Sequence, residues 1–294
     1  MPVRREELPL VNFASMTSIS RRHFLALAAA LLAACSDSNG PTGPDADDAR
    51  VLAHLTVTGS PEAAAGATWA YRDTVDGVVY DLTGVLLKPA GAGPFPAVIV
   101  SHGFGGSAAG YSRSVGTTMV RWGAVVIATN YTHAVNAPAG APGGVGEPGA
   151  SDANVRRARR LVDILDALGY VDMSHLAAHG HSMGAFVTTA LAARHPGILR
   201  VASHTAGGVR VDLLTGAAPT ETEARAIRAP YQMHHGSADI VVALAADQRL
   251  DAALQAAGTA HELHVYAGAA HNDVALDATV LERVRAWYTQ HGLF

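Results

Sequence analysis

The chain has 294 residues, of which 49% are hydrophobic, 16% are charged and 6% are aromatic. The apolar content is enough for a substantial core, and the length permits one large domain or two small ones. The formal net charge of −4 gives no electrostatic basis for binding nucleic acid, and no nucleic-acid partner is expected. Cys35 is the only cysteine, which excludes an intrachain disulfide.

Residues 1–35 have the features of an export signal and are not expected to belong to the folded domain. Residues 20–25 (SRRHFL) resemble a twin-arginine signal, and the apolar run 26–34 is about half the roughly 20 residues that a membrane-spanning helix needs. The run ends in LAAC at 32–35, which resembles the lipobox of bacterial lipoproteins. Cys35 is therefore predicted to be lipidated and to become the mature N-terminus.

These features predict an exported protein, a periplasmic or cell-surface lipoprotein whose lipid on Cys35 is held in the membrane. An ordinary signal peptide followed by secretion is the alternative. Translation can begin at Met1 or Met16, since the residues before Met16 add nothing to an export signal. Residues 36–49 are polar and rich in Gly, Pro and Asp, and predict a flexible tether, with the folded domain spanning 50–294.

Lead-in strands followed by alternating strands and helices are predicted for the body of the chain. Asp76-Gly77 predicts a hairpin turn between strands at 68–71 and 78–87. Six apolar strands follow, at Ala97–Ser101, Ala124–Thr129, Leu176–His179, Val201–His204, Tyr231–His235 and Glu262–Tyr266. The helices between and after them are predicted at Tyr111–Trp122, Ala153–Leu168, Ala185–Arg194, Ala243–Ala257 and Val280–His291, with a short one near Glu221–Ile227.

This alternation predicts an α/β fold with a mostly parallel, doubly wound sheet and antiparallel N-terminal strands. No stretch is long enough to form a large lid. Thr132–Ser151 is a Gly/Pro-rich loop after a strand, so it either shapes access to a site at the sheet edge or is a surface excursion.

The pentapeptide GHSMG at 180–184 fits the nucleophile elbow G-x-S-x-G, in which a sharp strand-to-helix turn exposes a serine hydroxyl. Its position between a predicted buried strand and a predicted helix is the context that the pattern requires. The two glycines leave room where strand and helix nearly touch. Ser182 is therefore the predicted nucleophile.

A serine hydroxyl needs a base to take its proton, and the base needs a carboxylate to orient it. Asp239 and His271 each follow a predicted parallel strand, so both are expected at the same sheet edge as Ser182. His271 is predicted to be the general base and acid, and Asp239 to orient it. Asp247 is the alternative carboxylate, although it lies inside a predicted helix. In a non-catalytic interpretation, Asp239 is a turn residue and His271 is a solvated loop residue.

Two backbone N–H groups are expected to stabilise the oxyanion. One is that of Met183, which follows the nucleophile. The other is that of Phe104, in the loop after the strand 97–101, because Gly103 lets the chain turn sharply there. The side chains of Phe104 and Met183 are also predicted to contact substrate.

No cofactor or metal is predicted. Residues 103–108 (GFGGSA) fit the dinucleotide pattern G-x-G-x-x-A, but the next strand ends in 129–131 (TNY) without the required carboxylate. There is no P-loop, no H-E-x-x-H and no cysteine cluster. The pairs His234-His235 and His179-x-His181 are expected to be structural, and the arginines of 156–160 to form a solvated helix face.

Taken together, these motifs resemble the α/β-hydrolase superfamily over about residues 65–290, and within it the dienelactone-hydrolase-like and cutinase-like esterases, including polyester hydrolases. The resemblance rests on LKP at 87–89, GPFP at 93–96, SHGF at 101–104, the elbow, and the segments of Asp239 and His271. It implies an exported serine hydrolase that cleaves carboxylic esters, of small or polymeric substrates, through an acyl-enzyme. It also implies that Phe104 and Met183 line the acyl cleft. A monomer is expected.

The chain departs from these relatives in three places. Ser182 stands where dienelactone hydrolases proper have a cysteine, Ala185 stands where polyester hydrolases usually have a second glycine, and Cys35 alone cannot form their C-terminal disulfide. Two other functions remain open: a prolyl-oligopeptidase-type peptidase, for which the chain lacks a propeller, and a non-catalytic lipoprotein that uses the fold as a binding scaffold.

Overall fold

The computed structural model describes residues 46–135, 148–213 and 215–294, and a central sheet organises these residues. Its nine strands within the described ranges are β1 (Leu55–Thr58), β2 (Ala67–Val75), β3 (Val78–Leu87), β4 (Phe95–Ser101), β5 (Val125–Thr129), β6 (Val171–His181), β7 (Val201–Thr205), β8 (Tyr231–Gly236) and β9 (His261–Tyr266). The helices are α1 (Ala46–His54), α2 (Arg113–Arg121, preceded by a π-helical turn over Ala108–Ser112), α3 (Asp152–Ala167), α4 (Met183–Arg194), α5 (Glu221–Ala224), α6 (Leu244–Ala257) and α7 (Ala278–Gln290).

The strands lie in the order β1-β2-β3-β5-β4-β6-β7-β8-β9. The first three strands are antiparallel to their neighbours, whereas the pairs from β5–β4 to β8–β9 are parallel. Asp76 and Gly77 both have positive φ, 51° and 77°, as a two-residue type I′ hairpin turn requires. The predicted α/β fold, with its antiparallel N-terminal strands, is confirmed.

Helices cover both faces of the sheet. One face packs against α1, α3, α4 and α6, with Ile99 of β4 and Leu161 of α3 in its core. The other face packs against α2 and α7, with Val98 of β4 and Trp287 of α7 in its core. Successive residues of a strand point to opposite faces, so a strand buried on both sides must be apolar throughout. This explains the unbroken apolar runs of the central strands.

The parallel arrangement brings the chemically important loops to one edge of the sheet. Strands β4, β6, β8 and β9 all run in the same direction, so their carboxyl ends meet at that edge. The residues that follow these ends are Gly103, Ser182, Asp239 and His271, respectively. The site described below depends on this placement.

Residues 46–49, predicted to be the end of a flexible tether, are helical. They form the first turn of α1, which spans Ala46–His54 and packs on the folded domain. Arg50 bonds to Asp73 of β2 at 3.1 Å, and Val51 is buried in the core. Asp47 and Asp48 lie in the first turn, where carboxylates favour the positive end of the helix dipole.

The export signal, Cys35 and most of the Gly/Pro-rich loop, residues 136–147, lie outside the described residues. Among the helices of the described ranges, none is both long and apolar enough to cross a membrane.

We expect Gly84→Ala to destabilise the sheet, because a Cβ there would lie 1.8 Å from the Ala128 carbonyl oxygen and 2.7 Å from the Trp69 ring. Relieving such a clash typically costs about 1–3 kcal/mol. Val79→Ala, on the same strand at a site that is 52% exposed, is the matched control and should change stability by no more than about 0.5 kcal/mol. Urea unfolding measures both; equal midpoints for the two variants would contradict the prediction.

Candidate active site

Ser182 lies in a strained turn between β6 and α4. Its backbone has φ 56° and ψ −122°, a conformation that residues other than glycine rarely adopt. The turn is held because the Ser182 N–H donates to the Thr205 carbonyl at 3.0 Å, and the Ala185 N–H donates to the Ser182 carbonyl at 2.9 Å. The predicted strand–turn–helix context of the elbow is therefore confirmed.

The two glycines of the elbow are required by close contacts. A Cβ on Gly180 would lie 2.2 Å from the Gly184 carbonyl oxygen, and a Cβ on Gly184 would lie 2.1 Å from the carbonyl oxygen of Ser101 on β4. No side chain larger than hydrogen fits at either distance. Strand, turn and helix thus approach as closely as the sequence pattern indicates.

Ser182, His271 and Asp239 form a continuous hydrogen-bonded row. His271 Nε2 lies 2.9 Å from Ser182 Oγ, and its Nδ1 lies 2.7 Å from Asp239 Oδ2. A carboxylate only accepts, so Nδ1 carries the proton and Nε2 is left to accept from the serine hydroxyl. The His271 side chain is 12% exposed and that of Asp239 is fully buried. The row therefore meets solvent at its Ser182–His271 end.

The carboxylate of Asp239 is strongly anchored. Burial alone would raise its pKa, but hydrogen bonds from His235 and His271 and from the N–H groups of Val241 and Val242 hold the pKa well below its usual range. Those two N–H groups donate to Asp239 Oδ1 at 2.8 and 2.9 Å. Asp247, the alternative acid, is fully buried and bonds to His235 and His204.

A second pair of side chains, His181 and Asn272, lies next to His271 of this hydrogen-bonded row. His181 Nδ1 lies 2.9 Å from Thr205 Oγ1 and its Nε2 lies 3.2 Å from Asn272 Oδ1, next to His271 in sequence. The ring centroids of His181 and His271 are 4.9 Å apart. Burial, and then the proximity of His271, lower the pKa of His181 to about 4, so its ring is neutral. Sequence reasoning missed this role, although His181 is one of the two variable residues of the elbow.

The loop after β4 lies directly against the nucleophile, since a Cβ on Gly103 would be only 3.1 Å from Ser182 Cβ. His102 shapes this loop: Nδ1–H donates to the Gly103 carbonyl at 2.8 Å and Nε2 accepts from the Tyr131 N–H at 3.2 Å. Burial lowers the pKa of His102 to about 4, which keeps the ring neutral. The sequence analysis included His102 in the motif SHGF at 101–104 but predicted no role for it.

The two predicted oxyanion donors both border the nucleophile in sequence or space. Met183 is the first residue of α4, and a residue there has no intrahelical acceptor for its N–H. Phe104 follows Gly103 in the loop that contacts Ser182. Among the backbone hydrogen bonds of the described ranges, neither of these two N–H groups is a donor. Both remain available to a ligand.

A cavity of about 600 Å³ opens beside Ser182 and His271. Its apolar lining includes Phe104, Val241 and Leu276, whose side chains are 72%, 49% and 52% exposed. Met183 does not line this cavity but a separate one of about 470 Å³, together with Arg210. Phe104, in the loop after β4, and Met183, at the start of α4, therefore line different cavities and do not share one cleft in this structure.

The other histidines and arginines singled out in the sequence have partners in the fold. His179 Nδ1 lies 2.8 Å from Ser203 Oγ, and His234 bonds to Tyr266 and Gln232. Arg159 and Arg160 pair with Asp163. Within the described part of the chain, no group of three or more His, Cys, Asp or Glu side chains is placed to hold a metal ion.

Several solved structures share this fold. A cold-adapted esterase from an Arctic intertidal metagenomic library superposes with a TM-score of 0.60 at 19% identity, over 75% of this chain and 93% of that one. Acylaminoacyl peptidase from Pyrococcus horikoshii superposes with a TM-score of 0.60 at 13% identity, over 75% of this chain and 40% of that one. At such identities the likeness concerns the fold alone.

One curated relative and one family model match the sequence. The Nocardia uniformis subsp. tsuyamanensis protein named "Putative esterase NocK" is 30% identical over 198 residues. The match is 62% of this chain and 55% of that protein, so the chain spans about half the length of this relative. The model of the Dienelactone hydrolase family matches residues 82–280, which is more than half of the chain and includes Ser182, Asp239 and His271. The chain therefore belongs to the Dienelactone hydrolase family.

Proposed function

We propose that this protein is a serine hydrolase that cleaves carboxylic esters through an acyl-enzyme intermediate. The observation that carries the proposal is the row Ser182–His271–Asp239, joined at 2.9 and 2.7 Å and built on a strained elbow. Membership of the Dienelactone hydrolase family supports hydrolytic chemistry, and the name of the Nocardia relative supports an ester as the substrate.

The proposed reaction has two halves. His271 Nε2 takes the proton of Ser182 Oγ as the oxygen attacks the ester carbonyl, and Asp239 stabilises the imidazolium that forms. The N–H groups of Met183 and Phe104 donate to the oxyanion. His271 then protonates the departing alcohol, which leaves an acyl-serine. Water, activated by the same histidine, attacks the acyl carbon, and the acid leaves as Ser182 regains its proton.

The shape of the cavity supports accessible, partly apolar esters as substrates. The exposed Phe104, Val241 and Leu276 side chains surround the opening beside Ser182, and no described segment covers it as a lid domain. An acyl or alcohol group that contacts these side chains gains hydrophobic stabilisation. Both small esters and ester bonds presented on a polymer fit this description.

The peptidase alternative is supported by likeness of fold, for example to acylaminoacyl peptidase from Pyrococcus horikoshii. That likeness covers 40% of the larger enzyme, so it concerns one part of it. A non-catalytic scaffold is less well supported, because the positive φ of Ser182 stores strain of order 1–3 kcal/mol that a binding role does not need.

The place of action is proposed from the N-terminal sequence. A twin-arginine-like signal that ends in a lipobox-like LAAC at 32–35 supports export and a lipid anchor on Cys35. Secretion after an ordinary signal cleavage is the alternative. We propose that the protein acts as a monomer without cofactor.

Ser182→Ala should abolish hydrolysis, because the attacking oxygen is removed. We expect the wild type to hydrolyse p-nitrophenyl esters from acetate to palmitate with a preference for short chains, and a fluorophosphonate probe to label Ser182. Parallel assays with peptide p-nitroanilides test the peptidase alternative. Retention of ester hydrolysis by a folded Ser182→Ala variant would falsify the proposed function.

Asp239→Asn should lower kcat on the order of 10⁴-fold, because an amide facing Nδ1 disfavours the tautomer that accepts the serine proton. Asp172→Asn is the matched control, since Asp172 also bonds to a histidine, His175, at 2.8 Å, but on the surface. Steady-state kinetics with p-nitrophenyl acetate measure both variants. Equal kcat values for the two would show that Asp239 does not orient the base.

Phe104→Ala should raise KM for longer p-nitrophenyl esters and leave kcat for the acetate nearly unchanged, because the backbone N–H remains while apolar contact area is lost. Val57→Ala, at an exposed site on β1, removes apolar surface away from the cavity and is the control. A large fall in kcat for every chain length would instead mean that the side chain fixes the oxyanion loop.

A further inference from the structure

Next to Asp239 lies a row of ionisable side chains that the proposed reaction does not use. His235, on β8, contacts both Asp239 and Asp247, and Asp247, on α6, also contacts His204 on β7. The side chains of all four residues are fully buried. Burying charges in this way is costly unless they are paired, so the pairing decides the protonation state of each group.

The hydrogen-bond partners of His235 require its ring to be an imidazolium. Its Nδ1 lies 2.7 Å from Asp247 Oδ2. Its Nε2 lies 2.9 Å from the Val242 carbonyl oxygen and 3.3 Å from Asp239 Oδ2. A carbonyl and two carboxylates only accept, so each ring nitrogen must carry a proton.

The pKa of His235 is consistent with a protonated ring. Burial by itself would lower the pKa of His235, but the hydrogen bonds to Asp239 and Asp247 outweigh it and raise the pKa to about 10. The pKa of Asp247 is held below its usual range, since contacts with His204 and His235 outweigh its burial. Protonated His235 therefore contributes to the free energy of unfolding. This contribution is fully present below the pKa of an unfolded histidine, about 6.5, and is lost as pH rises towards 10.

Asp247 is the group that secures this charge. One of its oxygens accepts from His235, and the other accepts from His204 Nε2 at 2.7 Å. His204 Nδ1 is in turn 3.0 Å from the Tyr231 hydroxyl, which anchors the far end of the row. Without the Asp247 carboxylate, Nδ1 of His235 would face no anion, and a buried imidazolium would be difficult to keep.

We propose that Asp247 is a positioning residue of the active site: it keeps His235 protonated, and His235 in turn contacts Asp239 Oδ2, the oxygen that also bonds to His271. The proposal rests on the hydrolase function proposed above. Asp239 Oδ2 is shared between His271 and His235, so only part of its charge acts on His271. The charge on His235 therefore changes how strongly Asp239 interacts with His271.

The charged and titratable groups that face the two histidines come from several elements. His235 meets Asp239 from the following turn and Asp247 from α6, with His204 of β7 beyond Asp247. His271 meets Asp239, and His181 of β6 at 4.9 Å between ring centroids. The pKa of His181 is about 4, so its ring stays neutral over the pH range of the test.

The test is Asp247→Asn, which keeps the side-chain shape and removes the charge. We expect His235 to lose its proton, so that two opposite charges disappear together. His235 lies nearer to Asp239 than Asp247 does, so the loss of the His235 charge has the larger effect and leaves the Asp239 carboxylate without its cationic partner. The acid limb of the fluorophosphonate labelling rate of Ser182, and of kcat/KM, should move up by about one pH unit.

Asp251→Asn is the matched control, because Asp251 is also on α6 and pairs with a histidine, His261, at 3.4 Å on the surface. It should leave the acid limb unchanged. A purely structural role for Asp247 predicts a lower melting temperature with the same acid limb as the wild type. That result, in a folded Asp247→Asn protein, would overturn the proposal.

A second measurement tests the protonation of His235 in the wild type and so does not require Asp247→Asn to fold. Nitrogen-15 NMR of the histidine rings in the wild type, with the His235 signal identified by its loss in His235→Gln, should show both ring nitrogens of His235 protonated at pH 8. One bare nitrogen would overturn the proposal. Lack of ester turnover by the wild type would refute the hydrolase function, whereas the labelling rate and the NMR spectrum decide the role of Asp247 separately.

Discussion

The close contact of β6, the elbow and α4 with the end of β4 is the constraint on which the rest of the site depends. Gly184 meets the Ser101 carbonyl and Gly180 meets Gly184 at distances where only hydrogen fits. Ser182 adopts a strained backbone conformation at this contact and lies against the loop at Gly103. The parallel strands on either side then bring Asp239 and His271 to the same edge.

The site is also built from alternating buried charges and dipoles. From the surface inwards, a hydroxyl, an imidazole, a carboxylate, an imidazolium and a second carboxylate follow one another at hydrogen-bond distances: Ser182, His271, Asp239, His235 and Asp247. Each buried charge is offset by a neighbour of opposite sign or by N–H donors, which is what makes its burial tolerable. In the proposed reaction, only the solvent-facing end of this row changes protonation.

Much of the fold and the position of the candidate site followed from local patterns. The apolar strands, the Asp76-Gly77 turn and the elbow are all short-range features, and the structure has them at or within a few residues of the expected bounds. The supporting roles of His102 and Asn272 did not follow, because each depends on a partner far away in sequence: Tyr131 for His102, and His181 for Asn272. Such partners are set by strand order and loop shape.

The sequence by itself determined the candidate site residues, apart from the choice of carboxylate, and that they share one edge of a parallel sheet. Strand ends and the elbow are encoded in contiguous residues, which is why they could be predicted. Only the tertiary structure decided between the two carboxylates. Asp239 bonds to His271, whereas Asp247 bonds to His235 and His204 and does not contact His271. That choice depends on how α6 packs on β7 and β8, and packing between distant elements has no signature in the local sequence.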